Sequence, residues 1–323
     1  MQASWQSEIA TAFRHPRDLL QFLELKECAD ILEESGFPFL VSRAFANRMV
    51  KGDPLDPLLL QVIPSRQEAI HQEGYTADPV GDLQASLTPG LLQKYKHRAL
   101  VITTGACAIH CRYCFRRDFP YYDQQSSHSR WPSQLSHLRE DSSIEEVILS
   151  GGDPLMLSND RISKILEDLE TLPHIQRIRF HTRMPVVLPS RIDQELALIL
   201  QKSSRQLIMV IHSNHPNELD KAVENSLDTL RQSGVTLLNQ AVLLKGINDN
   251  PDTLISLSKR LHESHVLPYY LHALDHATGT AHFDVAVDKA LELMDRLRDS
   301  LPGYLVPKLV QEIPGKSSKT PLF

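Results

Sequence analysis

The chain has 323 residues with 34 basic and 40 acidic side chains, a formal net charge of −6 at pH 7. That length supplies one large or two modest domains and ample material for a core, and the acidic balance argues against direct binding of nucleic acid. No run of about 18 uncharged apolar residues is present to cross a membrane, and the N-terminal MQASWQSEIATAFRHP lacks the apolar stretch of a secretion signal, so a cytoplasmic protein is expected.

Residues 1–93 read as a mainly helical region. WQSEIATAFRH, PRDLLQFLEL and PLLLQVIPSRQEAI place apolar residues at helical spacing. ELKECADILEES reads as an amphipathic helix in which Cys28 is a small buried apolar side chain. Pro and Gly break these runs at KGDPLDP and DPVGDL. A different rhythm then begins. β-rich runs appear at ALVITT, EEVILSGG, QRIRFHT, RQLIMVIHS, VTLLNQAVLL, HVLPYYLHAL and GYLVPKLV. Helical patterns separate several of them: DRISKILEDLETL, SRIDQELALILQK, NELDKAVENSLDTLRQSG, NPDTLISLSKRLHES and DVAVDKALELMDRLRDS. Alternation of this kind is the signature of parallel βαβ units. The fold class is therefore α/β, a partial (β/α)6 barrel over residues 94–311, followed by a short tail over 312–323.

In such barrels the site forms at the C-terminal ends of the strands, and polar residues collect there. Three cysteines follow ALVITT. EEVILS runs into Gly151-Gly152-Asp153-Pro154, and QRIRFH into Thr182-Arg183. QLIMVI leads to His212-Ser213-Asn214-His215, TLLN ends at Gln240, and VLPYYLH leads to Asp275 and later His282.

The run GACAIHCRYCFRRDF carries Cys107, Cys111 and Cys114 as C-x3-C-x2-C. Three of the four cysteines in one loop, without a secretion signal, favour a metal or cofactor site over disulfides. Thiolates are soft ligands that suit iron–sulfur clusters and zinc. A cubic four-iron cluster takes four ligands, so three thiolates leave one iron open. A Cys3His zinc site using His110 or a remote His is the alternative, although zinc patterns usually add a second cysteine pair. The glycines of Gly151-Gly152-Asp153-Pro154 suit either a plain turn or a close approach of backbone to a ligand.

The cysteine spacing resembles the radical S-adenosylmethionine (SAM) superfamily. That resemblance implies a 4Fe–4S cluster whose open iron holds the amino and carboxylate groups of SAM, and a partial TIM-like barrel. Gly151, Gly152 and Asp153 look like the superfamily's second-strand motif, which receives the SAM amino group.

CRYCFRRDFPY, LSGGDPL, HTRMPVVLPSRI, HSNHPNEL, LNQAVLLKGIND, LDHATGTAHF and PGKSSKTP together resemble the lysine 2,3-aminomutase family. The match runs from about Lys94 onward. WQSEIATAF, FPFLVSRAFANRM and KGDPLDPLLLQV are similar to its short bacterial branch, which acts in the modification of elongation factor P. The resemblance implies an isomerase that converts L-α-lysine to (R)-β-lysine with pyridoxal 5′-phosphate (PLP) as an additional cofactor. It also implies an electron donor such as flavodoxin or ferredoxin and, as pathway partners, elongation factor P and its lysine ligase. The alternatives are an aminomutase acting on another amino acid or on free lysine outside translation, and a radical SAM enzyme that modifies RNA or protein without PLP.

Residue roles follow from the same resemblance. The family's tail reads PGGGGK-T/V-P, which places Lys319 as the catalytic lysine in a Schiff base with PLP and puts Lys316 at a glycine position, with Lys316 as the competing choice. A lysine amine can do this work when burial or neighbouring cations leave it partly deprotonated. Lys94 and Arg98 match the basic positions for the PLP phosphate. Arg116 matches the arginine that pairs with the substrate carboxylate, a task its fork suits. Asp275 and Glu312 match the two acids that receive the distal ammonium of lysine, Glu312 standing where the family has Asp. His212 and Gln240 match positions near SAM.

Overall fold

The computed structural model describes residues 4–26 and 36–322, so the helix expected around Cys28 lies outside the described residues. Among the described residues, four short helices precede the sheet: α1 (Trp5–Ala10), α2 (Pro16–Phe22), α3 (Arg43–Ala46) and α4 (Pro57–Leu60). The strands are β1 (Ser86–Thr88), β2 (Leu91–Tyr95), β3 (Arg98–Thr104), β4 (Glu146–Gly151), β5 (Arg177–Thr182), β6 (Gln206–Ile211), β7 (Thr236–Val242), β8 (Leu267–His272), β9 (Lys308–Gln311) and β10 (Thr320–Pro321). Between and after them lie α5 (Tyr121–Gln124), α6 (Trp131–Glu140), α7 (Asn159–Glu170), α8 (Met184–Val187), α9 (Gln194–Gln201), α10 (Lys221–Gln232), α11 (Pro251–Glu263) and α12 (Val287–Ser300).

The strands form one sheet in sequential order from β1 to β10. β3 through β9 run parallel. The β1–β2, β2–β3 and β9–β10 pairs are antiparallel. β1 and β10 are the two ends of this order, so the barrel is partial. The expected alternation is present, with GYLVPKLV supplying β9. Every residue of β4 is buried, as a parallel strand covered on both faces requires. α7 buries Ile162, Ile165, Leu166 and Leu169 along one stripe, and Ser158 caps it by accepting from the Arg161 amide. Asp193, Asp220 and Asn250 cap α9, α10 and α11 in the same way.

The N-terminal region is less helical than its spacing predicts. PLLLQVIPSRQEAI forms only the single turn of α4 and a 3-10 turn at Arg66–Ala69. Pro64 lies between them and cannot continue a helix. The β1–β2 hairpin was not expected from its residues, and residue 94, where the barrel was expected to begin, lies inside β2. LLQKY has little intrinsic strand preference. Its pairing follows from burial of Leu91 and Leu92 opposite Val101 and Leu100, a tertiary contact that overrides propensity.

Two features of this architecture position the site. The N-terminal segment packs over the cysteine loop: the His110 amide donates to Leu40 O at 2.9 Å and the Arg112 amide to Gln61 O at 2.9 Å. The tail turns at Gly315, where φ is +78°, and returns as β10 antiparallel to β9, with Thr320 opposite Gln311. That register sets Lys319 beside Glu312.

Candidate active site

A cavity of about 340 Å³ opens at the C-terminal ends of the parallel strands. Every candidate residue named above for the cluster, SAM, PLP or substrate lines it. Lys316 does not; it is exposed on the tail turn. The preference for Lys319 over Lys316 thus has a geometric counterpart in the way β10 folds back.

Cys107, Cys111 and Cys114 are free thiols, each half-buried, on the loop after β3. Burial pushes the Cys114 thiol up to about 11, and a negative Cys111 nearby adds to this. Burial also raises the Cys107 thiol, and the nearby Asp153 adds to this. Three unpaired thiols on one cavity wall fit a three-thiolate cluster, and an electropositive group is what would let them ionise there.

The loop is seated by the end of β4. Gly151 has φ +122°, and a Cβ there would lie 2.5 Å from Thr104 O; on Gly152 it would lie 2.3 Å from Ala106 O. The Gly152 amide donates to Thr104 O at 2.7 Å and the Asp153 amide to Ala106 O at 2.8 Å. These glycines are therefore required by close backbone packing against the residues that lead into Cys107. The Asp153 side chain is engaged within the protein, on the same cavity wall. Oδ1 accepts from Thr182 Oγ1 at 2.7 Å and from the Leu155 amide at 3.0 Å, and Oδ2 from the Arg183 amide at 2.7 Å. Burial lifts its pKa to about 6, against these hydrogen bonds. Its carboxyl ties the end of β4 to the end of β5.

His212 is half-buried, and desolvation, with help from Arg183, lowers its pKa to about 3 and keeps the ring neutral. Its Nε2 lies 3.1 Å from the Tyr113 hydroxyl. Gln240 faces the cavity from β7. Arg183, which carried no assigned role, donates from Nη1 to Cys111 Sγ at 2.8 Å.

At the tail side the charges alternate. Lys319 Nζ donates to Glu312 Oε2. Glu312 Oε1 accepts from the Tyr95 hydroxyl at 2.8 Å and from Lys94 Nζ at 3.4 Å. Lys94 Nζ also lies 2.7 Å from Val80 O and 2.6 Å from Asp82 Oδ1. Asp82 Oδ2 accepts from Arg116 Nε at 2.6 Å, and Arg116 Nη1 donates to Ser150 Oγ at 3.1 Å. Burial opposes ionisation of Glu312, but Lys319 and then Lys94 outweigh it and hold its carboxyl below the usual range.

Lys94 has its three donors engaged by Val80, Asp82 and Glu312, so it is not free for a phosphate without breaking a buried network. Arg98 differs: its guanidinium sits 5.1 Å from the Tyr95 ring centroid and makes no ion pair among the described residues. It fits the phosphate task unaided. Asp82 was missed by sequence reasoning. It lies in DPVGDL, whose Pro and Gly read as a break, and no local pattern links it to Arg116 or Lys94.

Asp275 stands apart from this chain of pairs. Its Oδ1 is buried without a hydrogen-bond partner. Burial raises its pKa to about 7, with Lys319 opposing and Glu312 reinforcing the rise. An orphaned carboxylate oxygen on a cavity wall is a site for a cation. His181 and His272 add buried Nε2 atoms without partners, and burial keeps both rings neutral.

Residues 101–257 match the family model described as Radical SAM superfamily. The chain is 44% identical to the L-lysine 2,3-aminomutase of Escherichia coli (strain K12), over 98% of this chain and 94% of that one. It is 42% identical to the L-lysine 2,3-aminomutase of Haemophilus influenzae, covering 99% and 95%. It is 32% identical to that of Clostridium subterminale, covering 99% of this chain and 77% of that relative. The matched region contains the cysteine loop, and the cofactor of that superfamily is a 4Fe–4S cluster and not zinc. Identity of this order along nearly the whole of both chains places this protein in the lysine 2,3-aminomutase family of radical SAM isomerases, enzymes that work with a 4Fe–4S cluster, SAM and PLP.

Proposed function

We propose that the chain converts L-α-lysine to (R)-β-lysine in the cytoplasm, and that the product serves the modification of elongation factor P through a lysine ligase. The observation that carries this reading is the orphaned Asp275 Oδ1, in the same cavity as Glu312 and Arg116. Two acids suit the side-chain ammonium of lysine, and the arginine suits its carboxylate.

Cys107, Cys111 and Cys114 would hold the cluster, with Gly151 and Gly152 seating their loop and His212 and Gln240 flanking SAM. Lys319 would carry PLP, with Arg98 on the phosphate. When bound, the cluster with SAM supplies a carbon radical, and PLP supplies a conjugated system that lets nitrogen migrate. The protein's part is to orient and to exclude water. Asp82 and Ser150 engage Nε and Nη1 of Arg116, which fixes the plane of the guanidinium and leaves Nη2 for a carboxylate. Lys319 must leave Glu312 in order to react, and the acid it releases is then available to the substrate ammonium beside Asp275. A low-potential donor such as flavodoxin or ferredoxin would supply the electron.

The test is an anaerobic assay of reconstituted protein with SAM, PLP, dithionite and L-lysine, with products separated by chiral chromatography. (R)-β-lysine is expected. Rearrangement of another amino acid in preference to lysine would overturn the substrate, and failure of the product to appear on elongation factor P in a ligase-coupled assay would overturn the pathway.

A further inference from the structure

Behind the cysteine loop lies a buried polar cluster that the proposed chemistry does not use. Arg183, at the end of β5, is its centre. Nη1 donates to Cys111 Sγ at 2.8 Å, and Nη2 donates to Gln61 Oε1 at 2.6 Å and to Glu218 Oε2 at 3.1 Å. Glu218 is fully buried. Its Oε1 accepts from the Asn214 amide at 2.9 Å, the His215 amide at 3.0 Å and Gln61 Nε2 at 3.1 Å. The members come from separate places: Gln61 after α4, Cys111 after β3, Arg183 after β5 and Glu218 after β6. Contacts from so many elements leave the guanidinium little freedom to turn away from the sulfur.

Burying a full ion pair costs more in desolvation than filling the same space with apolar side chains. This pair has a direction: its positive end touches a thiol on the cysteine loop, and its negative end faces away. Hydrogen bonds to ligand sulfurs and the net charge around them are what tune the reduction potential of an iron–sulfur cluster. Reduction adds negative charge to the cluster and its thiolates, so a nearby guanidinium stabilises the reduced state more than the oxidised one. A carboxylate behind it offsets part of that effect.

We propose that Arg183 is a positioning residue that sets the reduction potential of the cluster through Cys111, with Glu218 as its counterweight. The inference rests on the reading of Cys111 as a cluster ligand, and it extends that reading to the residues that decide how readily the cluster accepts an electron.

The test is a dithionite titration of the reconstituted holoprotein without SAM, followed by electron paramagnetic resonance of the reduced cluster, with iron and sulfide counted per chain. Arg183→Gln is expected to lower the midpoint potential. Arg183→Lys, which keeps the charge, is expected to lie nearer the parent. Glu218→Gln is expected to raise it, because the arginine is no longer offset. Loose packing alone would not move the two neutral variants in opposite directions. An unchanged midpoint in Arg183→Gln with a full complement of iron, or shifts of one sign in both neutral variants, would overturn the proposal. If Arg183→Gln takes up no cluster, Glu218→Gln decides: a rise supports the proposal, and an unchanged or lower midpoint overturns it. If the parent protein assembles no iron and sulfide, the cysteine reading itself fails, which is a different result.

Discussion

Asp275 should make lysine binding depend on pH in a way that can be calculated. Its carboxyl is raised from 3.8 to about 7, first by burial. Carrying a charge there costs on the order of 4 kcal/mol at about 1.4 kcal/mol per pKa unit. The sign runs against stability: the folded protein keeps a proton on Asp275 that the unfolded chain has already lost. The free protein is therefore destabilised by this group as pH rises from about 4 through 7. Substrate binding runs the other way, because a lysine ammonium needs the ionised form. With a pKa of about 7, roughly one site in eleven is ionised at pH 6 and roughly ten in eleven at pH 8, so lysine affinity should rise about tenfold across that interval. Lysine binding below pH 7 should release a proton. Calorimetry of lysine binding to the protein before PLP is added, with the Lys319 amine still free, in buffers of different ionisation enthalpy measures both. Asp275→Asn should flatten the profile and weaken lysine by about 2–5 kcal/mol, at least about thirtyfold, the usual loss when one partner of a buried charge pair is removed. Its PLP absorption should be unchanged. A lysine affinity that is flat between pH 6 and 8, or an Asp275→Asn variant that binds lysine like the parent, would refute the assignment.

Borohydride reduction of the PLP-loaded protein should fix a pyridoxyl group on Lys319, and peptide mass spectrometry that finds it on Lys316 would overturn the alignment of the tail. Arg98→Ala should lose PLP more readily than Lys94→Ala, read as retained absorbance after dialysis, because Lys94 is already held by three acceptors. Asp82→Asn should destabilise the fold by about 3–5 kcal/mol, since it removes the buried negative charge that Lys94 and Arg116 share; a denaturant titration with an unchanged midpoint would contradict this. Gly152→Ala should lose most of its iron, because a Cβ 2.3 Å from Ala106 O must displace the start of the cysteine loop.

What could be read from the residues, and what could not, follows from the range of the forces involved. The strand–helix alternation is local periodicity, and β3 to β9 with α7 and α9 to α12 appear where that periodicity predicts them. The cysteine loop was legible for the same reason, since three ligands of one cofactor lie within eight residues. β2 was not legible, because LLQKY becomes a strand only against β3. Asp82 was not legible either. It sits among Pro and Gly, and its partners lie 12 and 34 positions further on, at Lys94 and Arg116. Arg183 stood in plain view as a polar residue at a strand end, but its contacts are with Cys111, Gln61 and Glu218, which only the folding of the sheet and the N-terminal segment brings together. Glu312 illustrates both sides of this divide. Its place seven residues before Lys319 follows from the sequence. The contact between them comes from a turn at Gly315 that folds β10 back onto β9, so the spacing of seven is a hairpin register and not a helical one. The same register means that lengthening the tail turn by one residue would move the lysine to the other face of the strand, away from both Glu312 and the cavity.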